Sequence, residues 1–463
     1  MSDRESAPPA GDAKSNGIEQ RLADERRFLE AERDDPASPY FAGGLKPSRG
    51  RRRFLLGSVG ALAGTVATRS APQSTSGLVA HEVRPDATKV QGYPLADESY
   101  GSRSQFETEM RVRFKTATAQ SSWTFTPLQN GCGIITPSGL HFERSHGGTA
   151  VIDPSRHMLY VHGLVKRPRK FSMRDLRRFP SISRVLFLEC SGNGLTEWYK
   201  PTLKTVQGTH GLTSTSEWTG VPLATILDEC GVPGNARWLL AEGGDAAAMT
   251  RSIPIEKAMK DAILAYGQNG EALRPEQGYP LRLLLPGFEG NMNIKWLRRI
   301  EVSDAPFMTR EETSKYTDLM PSGKAVQFSF EMEAKSVITS PSGEMTLDGP
   351  GFYEITGLAW SGRGSVKRVD LSVDGGRSWH EAALQQPVLP VCHTRFRFPW
   401  QWDGREAILQ SRCTDDTGYV QPTLGQLIAV RGLDGPLGSI YHLNAIQSWH
   451  VAGDGKVTNV HHY

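Results

Sequence analysis

Apolar runs punctuate the chain from about residue 99 onward, and their spacing changes part-way along. Met158–Leu164, Val185–Leu188, Leu281–Leu285 and Ile300–Val302 are short and largely apolar, the pattern of buried strands. Between them, "PIEKAMKDAILAYGQNG" carries helical spacing: Ile255, Met259, Ala262 and Ile263 fall on one face, with Pro254 near the start and Gly267 near the end. This half reads as mixed α/β. From about residue 336 the helical signal fades. In "KRVDLSVDGGRSWHEA", Val369, Leu371 and Val373 alternate with polar residues, and Asp374-Gly375 marks a turn before a returning strand. With "GFYEITGLAWSG", "TRFRFPWQWDG" and "EAILQSRCTDDTG", the pattern predicts an immunoglobulin-like antiparallel β-sandwich. The expected class is α+β, with a mixed α/β domain over 99–335 and the sandwich over 336–463.

The N-terminal region changes the picture of where this protein works. Residues 1–71 are polar at first and then read "RRRFLLGSVGALAGTVA" from Arg51 to Ala67, with a linker expected over 72–98. The apolar stretch Phe54 to Ala67 is about fourteen residues, short of the roughly 20 that a membrane-spanning helix needs. No stable membrane anchor is expected. Arg51 and Arg52, with Phe54-Leu55 following, resemble a twin-arginine export signal, with cleavage after Ala67 or Ala71. Export by that route delivers folded, cofactor-loaded proteins, so a periplasmic location is expected.

Composition excludes more than it selects. In 463 residues, 38% hydrophobic and 22% charged content is that of a globular protein, and the net charge of +3 offers nucleic acid no basic surface. The five cysteines, Cys132, Cys190, Cys230, Cys392 and Cys413, are odd in number and lack zinc-site spacing. Cys392 and Cys413 are left open as a pair. One cysteine differs from the rest: in "VLFLECSGNG" an apolar strand ends on Cys190 and a glycine-rich turn, which delivers a thiol into a cleft as core filler or as a ligand.

Several motifs in order decide between those two readings. "FERSHGG" (Phe142–Gly148), "LECSGNG", "EWTGVPL", "EGGD", "GYPLRLLLPG", "NIKWL" and "GLAWSGRGSVKRVDLSVDGGRSW" together resemble the sulfite oxidase family of molybdenum enzymes. Ser145 stands where that family usually has Asn, and Gln277 where it often has His. The resemblance implies one molybdenum–molybdopterin cofactor per chain, with Cys190 as the metal's thiolate ligand. Soft sulfur is the donor such a metal wants.

By the same resemblance, the cofactor contacts fall on Phe142, Glu143, Arg144, Ser145, His146, Asp245, Gln277, Arg282, Asn293, Ile294 and Lys295. Arg282 and Lys295 suit the cofactor's phosphate, and Asp245 its amide-like edge. Arg144, Tyr316 and Arg395 correspond to residues acting on substrate, with Arg397 competing for the place of Arg395. Gly194 and Leu195 stand where sulfite-oxidising members commonly carry an arginine pair.

A missing cation disfavours a small free dianion. Within the family this is similar to the sulfane dehydrogenase branch of the Sox system, so protein-bound sulfane sulfur is the expected substrate, with free sulfite as the alternative. The reaction implied is oxygen-atom transfer. No haem or flavin segment accompanies the motifs, so a c-type cytochrome subunit is the expected electron acceptor. A sulfur-carrier protein presenting a cysteine and a homodimer within a larger assembly complete the expected partners. A sulfoxide reductase would lack the sandwich, a nitrate reductase would carry haem and flavin modules, and a non-catalytic binding protein would hold no molybdenum.

Overall fold

Three stretches of the chain, residues 100–116, 118–432 and 442–462, are described by a computed structural model. The export-signal reading at Arg51–Ala71 lies outside the described residues. Residues 100–108 belong to a separate unit and expose Tyr100 and Phe106.

The strand that carries the thiol runs Ile182–Glu189, longer than its apolar core, because it pairs along its whole length with Thr213–Pro222. That partner pairs in turn with Ile263–Gln268, which also holds Glu271–Ala272 and Arg282–Leu284. A second sheet has the order Arg169–Ser172, Met158–Gly163, Leu297–Ser303, Trp238–Gly243, Thr250–Pro254. Met158–Gly163 and Leu297–Ser303 are its parallel pair. Helices Leu223–Cys230 and Ile255–Asp261 contribute to the core beside it, with Leu159, Ile226, Leu264 and Ile300 fully buried. A three-stranded antiparallel sheet, Val112–Arg113, Ser122–Phe125 and Glu143–Ser145, carries the Phe142–His146 motif.

One expectation is corrected. The helix predicted to run towards Gly267 stops at Asp261, Ala262 turns extended at ψ 143°, and Ile263–Gln268 is a strand. Ile263, Leu264 and Ala265 are consecutive and all fully buried, which a single helical stripe does not allow and a strand flanked by partners on both sides does. The helix itself buries Ile255 and Ala258, while Met259 stays exposed.

The second half is an antiparallel sandwich. One sheet has the order Lys335–Ser340, Gly351–Trp360, Thr394–Trp402, Ala383–Leu384, and the other His380–Glu381, Val366–Ser372, Ala407–Asp415, Ser448–Val451, Val457–Val460. Trp360, Trp402, Trp449, Phe396 and Leu371 fill its core. The returning strand after Asp374-Gly375 is only two residues, His380–Glu381. A short helix, Leu424–Arg431, interrupts the all-strand reading. Its Thr423 side chain caps Gln426 N and Gln426 caps Thr423 N, a reciprocal signal written in "TLGQ". All five cysteines are free, and the Cys392 thiol donates to Val185 O at 2.7 Å.

The two halves are joined by a buried ion pair. Lys335 Nζ, on the first sandwich strand, lies 2.6 Å from Glu189 Oε1, and both side chains are fully buried. Asn193 Nδ2 donates to the same oxygen at 2.9 Å and Trp360 Nε1 to Glu189 Oε2 at 2.7 Å. Removing one member of a buried pair strands the other charge. Lys335→Met is therefore expected to cost about 3–5 kcal/mol, read as a lowered denaturation midpoint. Adding Glu189→Gln to that variant should restore much of the loss. Equal midpoints for wild type and Lys335→Met would refute this account.

Candidate active site

Cys190 leaves the strand end with its backbone still on the ladder: its N–H donates to Leu212 O at 2.9 Å. Asn193 then fixes the turn, accepting from Leu212 N at 3.0 Å and donating to Glu189. Gly290 packs on the other side, where a Cβ would stand 3.2 Å from Cys190 Cα and 2.8 Å from Glu189 O. Only glycine permits that approach. The thiol is half-buried at the side of a cleft, and burial pushes its pKa up.

The cleft brings together Phe142, Glu143, Arg144, Ser145, His146, Cys190, Asp245, Gln277, Arg282, Asn293, Ile294, Lys295 and Tyr316. Several of their side chains are committed to scaffolding. Asn293 Oδ1 accepts from Leu285 N at 2.7 Å while its Nδ2 donates to Phe288 O and Glu289 O. Ser145 Oγ donates to Gly148 O, and Glu143 faces Arg111 at 3.8 Å. Gln277, standing where the family often has His, donates through Nε2 to Phe142 O and accepts from Arg282 Nη1 at 3.3 Å.

Arg282 and Lys295 form a cationic end. Arg282 donates only to carbonyl oxygens of Gln277 and Asn293, and its Nε has no partner among the described residues. Lys295 Nζ donates to Arg144 O and Glu276 O. All these acceptors are neutral. Burial lowers Arg282 to about 9 and Lys295 to about 8. A buried arginine and a half-buried lysine held by neutral carbonyls are the donor set that an anionic phosphate completes.

Arg144 and Tyr316 line the same cleft as Cys190. Arg144 Nη1 donates to Ser145 O at 2.6 Å and Nη2 bonds His146 Nδ1 at 3.2 Å. Tyr316 follows a wide π-helical turn, Glu311–Lys315, and burial pushes its phenol pKa up. Such turns interrupt regular helix and recur at functional sites.

Arg395 is the exception and corrects an expectation. The register Leu358↔Arg395 delivers it to a separate hollow lined by Cys132 and His393, where its guanidinium donates to Gly131 O and Gly133 O. Arg397 is half-exposed and pairs with Glu354 and Gln385. Neither reaches the cleft. Positions 194 and 195 offer it no cation either. Gly194 has φ +88° and a Cβ there would meet Leu443, while Leu195 packs against the apolar cluster of Trp198, Leu424 and Leu443.

Sequence reasoning missed His141. It is buried in the cleft wall, stacked on Phe142, with Nδ1 3.0 Å from Phe142 O. The carbonyl can only accept, so Nδ1 carries the proton and Nε2 is bare. Its place directly before Phe142 was the one available signal.

Residues 146–311 match the family described as the oxidoreductase molybdopterin binding domain, and residues 326–449 the Mo-co oxidoreductase dimerisation domain. The crystal structure of the sulfane dehydrogenase SoxCD from Paracoccus pantotrophus is 45% identical in sequence, with a TM-score of 0.78. The match covers 82% of this chain and 97% of that one. This chain belongs to the sulfite oxidase family of molybdenum enzymes. Nitrate reductases [NADH] of Cichorium intybus and Brassica napus are each 36% identical over 58% of this chain. The chain spans about a third of their length, 32% and 33%. The cleft's donor set fits the family's molybdenum cofactor: Cys190 would supply the soft ligand, and Arg282 with Lys295 would hold the phosphate end.

Two outcomes follow. Arg282→Met and Lys295→Met should each lower the molybdenum content of purified protein several-fold, since each removes a charge-assisted contact worth about 1.5–3 kcal/mol. Full occupancy in both variants would contradict the phosphate assignment. Burial also lowers His141 to about 3, from 6.5 in the unfolded chain. Its folded pKa is depressed, so its contribution is complete above 6.5 and is lost as pH falls towards 3. Melting temperatures should therefore depend less on pH between 6.5 and 4 in His141→Gln than in the wild type. An unchanged slope would show that His141 is not buried neutral.

Proposed function

We propose that this chain is a periplasmic molybdenum-dependent dehydrogenase that oxidises protein-bound sulfane sulfur and passes the electrons to a c-type cytochrome. The observation that carries this reading is the cation count beside Cys190. Arg144 lines the cleft, while Gly194 and Leu195 contribute no charge and Leu195 is turned into an apolar cluster. A free dianion depends on the charges that grip it, whereas a group carried on a partner's cysteine is held through the carrier's contacts. The likeness to SoxCD supports the same substrate class. The Arg51-Arg52 pattern supports export, and the dimerisation domain supports a homodimer within a larger complex.

When bound, the molybdenum cofactor supplies two-electron oxygen-atom transfer. The chain's own residues do the rest. Cys190 would hold the metal, its own position being set by Asn193 and Gly290. Arg144 presents a planar cation to the anionic sulfur group, and the Tyr316 hydroxyl, protonated at neutral pH, offers it a hydrogen bond. The enclosing walls of Ala247, Met249 and Ile294 keep the site partly dry, which strengthens both contacts.

Steady-state kinetics with a cytochrome c acceptor test this. The value of kcat/KM for carrier-bound sulfane sulfur should exceed that for free sulfite, and a much higher value for sulfite would establish sulfite dehydrogenase activity instead. Cys190→Ser should abolish turnover with either substrate while the fold persists, because an alkoxide is a harder and poorer ligand for this metal. Near-normal turnover in that variant would remove the ligand assignment.

A further inference from the structure

Position 195 leaves the cleft short of a cation, and the strand Thr250–Pro254 brings one from behind. Arg251 is fully buried, with its guanidinium carbon 4.8 Å from the centroid of the Tyr316 ring. Its Nε donates to Glu312 Oε1 at 2.6 Å, and Nη1 and Nη2 have no partner among the described residues although both are sealed from water. Leaving a forked donor dry and unpaired is costly, so its retention calls for a reason beyond packing.

Glu312 shows how the arrangement is held. Its carboxylate is fully buried and also accepts from Ser252 N at 3.1 Å and from Thr309 Oγ1. Its peptide oxygen accepts from Thr317 Oγ1, next to Tyr316. Arg251 thus ties the strand to the π-helical turn that delivers the tyrosine. The cation sits against the ring face, where the π quadrupole attracts it, while Tyr316 lines the cleft. Glu312 neutralises Arg251 by contact, the buried Glu289 also faces it, and the charge is unscreened by solvent.

We propose that Arg251 is a positioning residue that fixes the Tyr316 ring at the cleft and, through that ring, supplies the positive potential for an anionic sulfur group that position 195 does not provide. The inference rests on the proposed oxidation of such a group, and it deepens that reading by naming what replaces the missing charge.

Sulfate binding to the cofactor-loaded protein, followed by its visible spectrum, tests the potential independently of which sulfur compound is oxidised. Absence of sulfur-oxidising activity with sulfate binding intact would remove the proposed function and leave this inference standing. Arg251→Met should raise the sulfate Kd about tenfold, and Arg251→Lys, which keeps the charge, less than about threefold. Glu312→Gln, which removes the neutralising carboxylate, should lower it. A purely structural role predicts that the Met and Lys variants lose melting temperature and cofactor content alike, with no change in sulfate affinity. That result overturns the proposal, as does a Glu312→Gln variant that binds sulfate no more tightly, or a wild type that binds none. Should Arg251→Met fail to fold, the Lys and Glu312→Gln variants decide.

Discussion

The contact between Glu189 and Lys335 is the constraint on which the rest of the site depends. Glu189 immediately precedes Cys190, is fully buried, and receives Lys335, Asn193 and Trp360 on its two oxygens. A carboxylate taken so far out of water is tolerable only if its lone pairs are occupied. Two of the three donors come from the sandwich. The half of the chain that lines little of the cleft therefore helps fix the backbone from which Cys190 projects. Further bonds cross the same boundary, from Phe187 N to Val391 O at 2.9 Å and from Asn459 Nδ2 to Glu197 Oε2 at 2.7 Å.

The cleft divides its chemistry along its length. At one end, the buried Arg282 and the half-buried Lys295 sit among neutral carbonyls and over the rings of Trp218 and Trp296. Burial there weakens each cation's hold on its proton, a cost that a bound anion offsets. Gln277 matters to this end because it holds both Phe142 O and Arg282. An amide performs that bridging with one acceptor and one donor, and it carries no charge to compete with the arginine. At the other end, Cys190, Arg144 and Tyr316 meet with less positive charge than an arginine at position 195 would bring. The cofactor would thus be held chiefly through its phosphate, while the surroundings of Cys190 are left less cationic.

Much of this is legible in the residues alone, for physical reasons. Strand alternation and buried apolar runs depend on local period, so residue order is enough to place the strands around Val185–Leu188 and those of the sandwich around Val369 and Leu371. The motif from Phe142 to His146 and the turn after Cys190 are short, so their residue types travel together and mark the cleft wall. The error at Ile263–Gln268 arises where period is ambiguous: a fully apolar run fits a helix or a central strand, and only pairing on both edges selects the strand. Arg395 is misplaced by its motif because the resemblance there is loose, and strand register, not residue type, sets where a side chain is delivered.

What the sequence determined by itself was the class of chemistry: a thiol at a strand end, cations for a phosphate, and an apolar residue where an arginine is common. Those are properties of residue type and short-range order. Tertiary structure alone decided which charges are dry and which are paired. Lys335 lies 146 positions from Glu189, and Arg251 lies 61 from Glu312. Neither pairing leaves a trace in local pattern, because burial is set by what the whole chain packs around a residue. The buried guanidinium behind Tyr316 became visible only when two distant segments packed against one another.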